Sequence, residues 1–137
     1  MATYNKFEGF VGYLGLKAVN CNTDTFKVYL SNTAPSASLD DVKADLAEIA
    51  AGNGYAAGGA DILNTFSEAA GVGTFAGTDV TWTAAGGPIG PFQYAVIYDD
   101  DHASDILQNW WDYGSAVTLQ SGESFTVDFG ANIWTLT

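Results

Sequence analysis

From about residue 80 to the end of the chain, short apolar runs alternate with glycine-bearing turns, and no helical periodicity comes between them. Val80-Thr81-Trp82-Thr83 and Phe125-Thr126-Val127-Asp128-Phe129 place apolar side chains at every second position, the spacing of a strand with one buried face. Phe92 to Tyr98 is a continuous aromatic and β-branched run, which reads as a central strand buried on both faces. Ile106 to Tyr113 and Ile133 to Leu136 are further strand candidates, and Thr25 to Leu30 puts Phe26, Val28 and Leu30 on one side. Ser121-Gly122 and Gly130-Ala131-Asn132 supply turn chemistry, while Gly86-Gly87-Pro88 and Gly90-Pro91 mark a bend before the Phe92 run. A parallel α/β fold needs helices between its later strands, and none is legible after about residue 52. The expectation is a mainly β fold, a jelly-roll-like β-sandwich.

Two helices are expected in the N-terminal third. Phe7, Phe10, Val11 and Leu14 recur at helical spacing, with Asn5 and Glu8 as a capping pair. Gly9, Gly12 and Gly15 each cost about 1 kcal/mol against alanine, so this helix needs packing of its aromatic face. A second helix follows Pro35, with Ser38 as cap, Asp40 and Asp41 at its positive end, and Val42, Leu46 and Ile49 as its apolar stripe. The Ala/Gly-rich stretch Ala50 to Ala60 reads as a mobile surface loop. With 137 residues and no internal repeat or linker, the expectation is one domain over 1–137, with residues 1–20 as a helical segment packed on it or on a neighbour.

Composition narrows the function. Hydrophobic residues make up 47% and charged residues 15%, against about 25% charged in an ordinary domain. Sixteen acids against four lysines, with no arginine, leave a net charge of −12. That field repels nucleic acid and anionic membranes, and phosphate chemistry lacks its usual bidentate arginine. Cys21 is the one cysteine, so no internal disulfide or thiolate zinc site can form. Neither a signal peptide nor an apolar run of about 20 residues is visible, and the expectation is a soluble protein made in a cytoplasm.

Candidate chemistry is sparse. Asp99-Asp100-Asp101-His102, with Asp105 nearby, is the densest polar cluster and holds the one histidine. Asp99, Asp101 and Asp105 would be the ligands of a hard cation there, but the spacing matches no calcium loop, and the run reads as a solvated turn. No nucleophile elbow accompanies His102, no two carboxylates stand out as a glycosidase pair, and the glycine-rich segments lack a phosphate-loop lysine. The expectation is no enzyme, no cofactor and no metal. Trp110-Trp111-Asp112-Tyr113 is more telling. On a strand Trp110 and Asp112 face one way and Trp111 and Tyr113 the other. Both faces fit a sandwich core; an exposed one fits a protein interface or a sugar-stacking platform.

Several segments together resemble a family of small virion proteins of tailed bacteriophages. They are Met1 to Phe7, Asn22 to Pro35, Ile49 to Tyr55, Gly90 to Tyr98, Trp110 to Gly114 and Gly122 to Phe129; residues 61–77 carry no part of the likeness. The resemblance implies a capsid decoration (cement) protein on the outer capsid surface, bound to the major capsid protein and self-associating as a dimer or trimer, with no catalytic residues. A tail or baseplate component, or a carbohydrate-binding module on a host-recognition appendage, is the alternative. Tyr4, Phe7, Phe10, Trp110, Trp111 and Tyr113 are the expected interface or interface-supporting residues. If acidic copies meet at close range, added salt should strengthen their association.

Overall fold

A computed structural model describes residues 2–137; Met1, first of the segments that carry the resemblance, lies outside the described residues. The described residues form ten strands and one α-helix: β1 (Thr3–Lys6), α1 (Glu8–Gly15), β2 (Phe26–Ser31), β3 (Ala60–Asp61), β4 (Thr65–Ala69), β5 (Val72–Ala76), β6 (Val80–Thr83), β7 (Ile89–Asp99), β8 (Ile106–Leu119), β9 (Ser124–Val127) and β10 (Trp134–Leu136). The strands build three antiparallel sheets, ordered β1-β8-β7-β2-β3, β10-β5-β4 and β6-β9. The fold is mainly β, with the sheets facing one another in a sandwich. Phe26, Val28, Leu30 and Ile97 of the large sheet share one core with Phe75 of the second sheet and Val80, Trp82 and Val127 of the third.

The large sheet is buried on its other face too. There Tyr29, Val96, Tyr98, Leu107 and Trp110 pack with Phe7 and Leu46 in a second cluster. Tyr29 and Tyr98 meet edge to face at 5.5 Å. The run from Phe92 to Tyr98 is thus the doubly buried strand that its composition implies. It begins earlier, at Ile89, and its bend is a pair of register shifts between Ile89 and Tyr94. A third shift lets Ile97 pair with Asn109 and Tyr98 with Leu107, leaving Gln108 as the extra residue of β8.

The cover on that second face is where expectation and structure part. Residues 36–49 do not form a helix; they cross the sheet as an irregular strap with one short 3₁₀ turn, Lys43–Asp45. Asp40, one of the two acids expected at the helix start, serves a local turn instead, and so does Asp45. Asp40 Oδ2 accepts from Ser36 N at 2.7 Å, and Asp45 Oδ2 accepts from Asp41 N and Val42 N at 3.0 and 3.1 Å. Such side-chain acceptors compete directly with the helical ladder. Strap backbone groups bond the sheet as well: Ile49 N donates to Leu30 O, Leu107 N to Asp41 O, and Lys43 N to Asp105 O.

Glu48 fastens this cover. Its carboxylate accepts from Lys43 Nζ at 2.9 Å, from the Tyr55 hydroxyl at 2.8 Å and from Gly58 N at 2.7 Å. The same Tyr55 hydroxyl accepts from Leu30 N at 3.0 Å. Residues 50–59 are therefore irregular, as expected, but pinned: Tyr55 is buried and the Tyr98 hydroxyl donates to Gly58 O at 2.7 Å. Gly59 has φ +77°, and a Cβ there would collide with the Val28 carbonyl.

The first helix exists but starts at Glu8, after a strand that periodicity does not reveal. Its N-cap is Phe7, with no side-chain cap, so Asn5 and Glu8 form no capping pair. Asn5 Nδ2 donates instead to Thr3 O. Replacing Glu48 by alanine is expected to cost roughly 3 kcal/mol, because Lys43 and Tyr55 are left beneath the strap without their acceptor. Glu48→Gln, which keeps the acceptor oxygen, should cost less; urea unfolding measures both.

Candidate functional site

The acidic run at the end of β7 is not a solvated turn throughout. Asp99 is fully buried, and its Oδ1 accepts from Asp101 N and His102 N at 3.0 and 3.3 Å. Asp101 Oδ2 accepts from Thr25 N at 2.8 Å, and Asp100 pairs with Lys27 Nζ at 2.9 Å. Asp105 sits at φ +51° with its N–H on His102 O. Each group thus closes a local turn or ties the loop to β2. Among the described residues no three of His, Cys, Asp or Glu converge on a metal-sized centre.

Asp99 Oδ2 has no donor partner. Burial, and then the neighbouring Asp24 carboxylate, push its pKa up to about 7. Burial, and then Asp99 and Asp24, likewise push the Cys21 thiol up to about 12. A thiol so placed holds almost no thiolate at neutral pH and is a poor nucleophile. Gln108 and Asn109 are also fully buried, with side-chain amides that find no partner among the described residues.

The aromatic candidates fall into three places. Antiparallel pairing of β1 with β8 sets Tyr4 opposite Trp111 and Asn5 opposite Trp110. Side chains alternate across the sheet, as the strand reading requires. Trp110 goes to the second cluster, where it lies 4.5 Å from Phe7, and both are buried. Neither can stack on a sugar or touch a partner directly. Trp111 is half-buried on the main-core side, against Tyr4 at 5.8 Å and Phe129 at 5.4 Å. Tyr113 is half-buried against Phe125 at 5.0 Å, away from the others.

Tyr4 and Phe10 belong to a surface that no local pattern announces. β1 is one edge of the five-stranded sheet and β10 one edge of the three-stranded sheet. Between them lies an apolar groove of about 380 Å³, lined by Tyr4, Lys6, Phe10, Val11, Leu14, Trp134, Thr135 and Leu136. A second hollow of about 360 Å³ shares Leu14, Trp134 and Leu136 and runs on past Lys17, Val19 and Phe66. Trp134 stacks on Phe75 at 5.2 Å and meets Phe10 and Phe66 edge-on or tilted, so it is a rigid wall. Only part of the helix's apolar stripe is used internally: Phe10 is buried, Leu14 half-buried, and Val11 54% exposed. Leu136, also in the lining, is 54% exposed, so the groove leaves apolar side chains uncovered. The sequence signal for it was the stripe itself, which carries more apolar surface than a glycine-rich two-turn helix buries.

Two outcomes follow from the buried groups. An unfolded Asp99 would titrate near 3.9 and the folded one near 7, so between these values the folded state holds the extra proton. Stability from this group is complete below about pH 4 and is lost as pH rises to about 7. Asp112, held low by Gln93 and the Gly114 N–H, and Asp45, held low by two backbone donors, act oppositely and only at more acid pH. Asp99→Asn keeps the Oδ1 acceptor and offers an amide donor to Asp24. It should flatten the loss and raise stability by roughly 1–3 kcal/mol at mildly alkaline pH, read from urea midpoints at mildly acid and mildly alkaline pH. Cys21 should take up iodoacetamide only in denaturant, which mass spectrometry of the labelled protein checks. Comparison with protein-family models, curated protein sequences and solved structures finds no match for this chain.

Proposed function

We propose that this chain is a non-enzymatic binding protein of a virion, a capsid decoration protein that seats on the major capsid protein lattice. The observation that carries the reading is the uncovered apolar face around α1 and β10, with Tyr4, Val11 and Leu136 exposed together on a chain otherwise rich in acids. Contiguous apolar surface rimmed by polar groups marks a protein contact. The resemblance of the chain's segments to small tailed-phage virion proteins supplies the kind of particle. Within this reading Tyr4 touches the partner, and Phe10, buried, forms the groove floor. Phe7 and Trp110 act from beneath, by fixing β1 against β8 so that Tyr4 and Lys6 keep their place at the groove.

Nothing in the geometry favours a hydrolytic or transfer reaction. The acids that are buried or perturbed serve loops, the thiol is unreactive, and His102 Nδ1 accepts from Ser104 N at 3.1 Å. An acceptor so used is not free to serve as a general base. The sugar-binding alternative has lost one of its two tryptophans to the core.

Purified particles of the virus that encodes this chain should contain it in a copy number matched to the capsid lattice. Absence from the particle removes the reading, and a copy number matched to the tail moves the protein there. Val11→Asp and Leu136→Asp, both at exposed positions, should weaken binding to undecorated capsids about tenfold or more, measured by co-sedimentation.

A further inference from the structure

The charge around the groove differs from the charge of the chain. None of the sixteen acids lines either hollow, while two of the four lysines do: Lys6 at the β1 side and Lys17 beyond the end of α1. The other two lysines are already paired, Lys27 with Asp100 and Lys43 with Glu48. Among the described residues Lys6 and Lys17 have no carboxylate partner, and both are exposed. Among the described residues the two lysines without a carboxylate partner thus lie at the rims of two adjoining apolar hollows, on a protein of net charge −12.

We propose that this groove binds an extended segment of a partner protein in which apolar side chains alternate with acidic ones. The apolar side chains pack on Phe10, Leu14, Trp134 and Leu136, and the carboxylates meet Lys6 and Lys17. An extended segment suits the walls, because β1 and β10 are both edge strands whose outer backbone groups pair with no other strand among the described residues. A second copy of this chain fits less well. A two-fold contact through one shared patch sets that patch against itself, and here it would face lysines with lysines. The inference rests on the reading of this face as a docking surface, and it adds what kind of segment docks there.

The test is selection of a random octapeptide display library on the intact protein, followed by fluorescence anisotropy with the resynthesised winner. Enriched sequences should alternate apolar residues with Asp or Glu. The winner should bind at least about tenfold more weakly to Leu136→Asp and to the Lys6→Glu/Lys17→Glu double variant. It should bind undiminished to Leu39→Asp, an exposed position elsewhere on the surface. If Leu136→Asp does not fold, Val11→Asp takes its place. No enrichment, enrichment of basic sequences, or a winner indifferent to the groove variants overturns the proposal. So does a dimer in sedimentation that Leu136→Asp dissolves, since it gives the groove to a second copy. Absence of the chain from virions would end the capsid assignment and leave peptide binding standing, so the two failures are distinguishable.

Discussion

The Glu48 carboxylate joins the pieces of chain that cannot hold themselves. A sheet buried on both faces needs two covers, and here only one is made of regular structure. On one face the smaller sheets supply it through Phe75, Val80, Trp82 and Val127. On the other, residues 36–59 have no continuous backbone ladder, so their polar groups need individual partners. Glu48 satisfies Lys43, Tyr55 and Gly58 at once, and Tyr55 passes the connection to Leu30 N in β2. Lys43 Nζ also lies 4.9 Å from the centre of the Tyr29 ring, so the ion pair sits on the aromatic layer it seals. Without this junction the second cluster would have an open lid, and Tyr98 and Trp110 would face water.

The same architecture explains why the groove exists. β1 edges the five-stranded sheet and β10 the three-stranded sheet, and the two strands do not pair with each other, so a gap is left between them. Helix α1 fills part of the gap at β1 and β10. It is only eight residues long and contains three glycines, so Phe10 and Leu14 reach the core side while Val11 has nothing to pack on. Gly73 lets the Phe66 ring and Leu136 come close to β5, which brings Trp134 flat against Phe75. The groove wall is rigid for that reason, and the opening belongs to the packed form of the protein.

Legibility in the sequence tracked whether a signal was local. β2, β6, β7 and most of β8 follow period-two or doubly buried patterns that each segment carries alone. The β4–β5 hairpin is less readable because its turn uses Ala70 at φ +52° before Gly71 at +83°, where an asparagine or aspartate would have announced it. The strap reads as a helix because Asp40 and Asp41 stand where helix-starting acids stand; Asp40 and Asp45 accept from Ser36, Asp41 and Val42 N–H groups in turns instead. The candidate site divides the same way. The alternation of Trp110 and Trp111 across β8 follows from spacing alone, whereas the groove depends on residues near opposite ends of the chain, such as Tyr4 and Leu136, meeting in space.

Net charge and groove charge then act at different ranges. Farther out than a Debye length, about 8 Å at physiological salt, the net charge of −12 is screened; inside it, short of contact, an approaching acidic segment meets that field and is repelled. At contact it meets Lys6, Lys17 and an apolar floor with no acid in the lining. Attraction is therefore short-ranged, and the field offers no electrostatic steering to raise the on-rate. Affinity must come from the burial of Val11, Leu14, Trp134 and Leu136, with the lysines selecting among apolar segments for those that carry carboxylates. Under the proposed reading as a decoration protein, placed once and meant to stay, slow capture by an acidic body and contact-range selection by Lys6 and Lys17 form the useful combination.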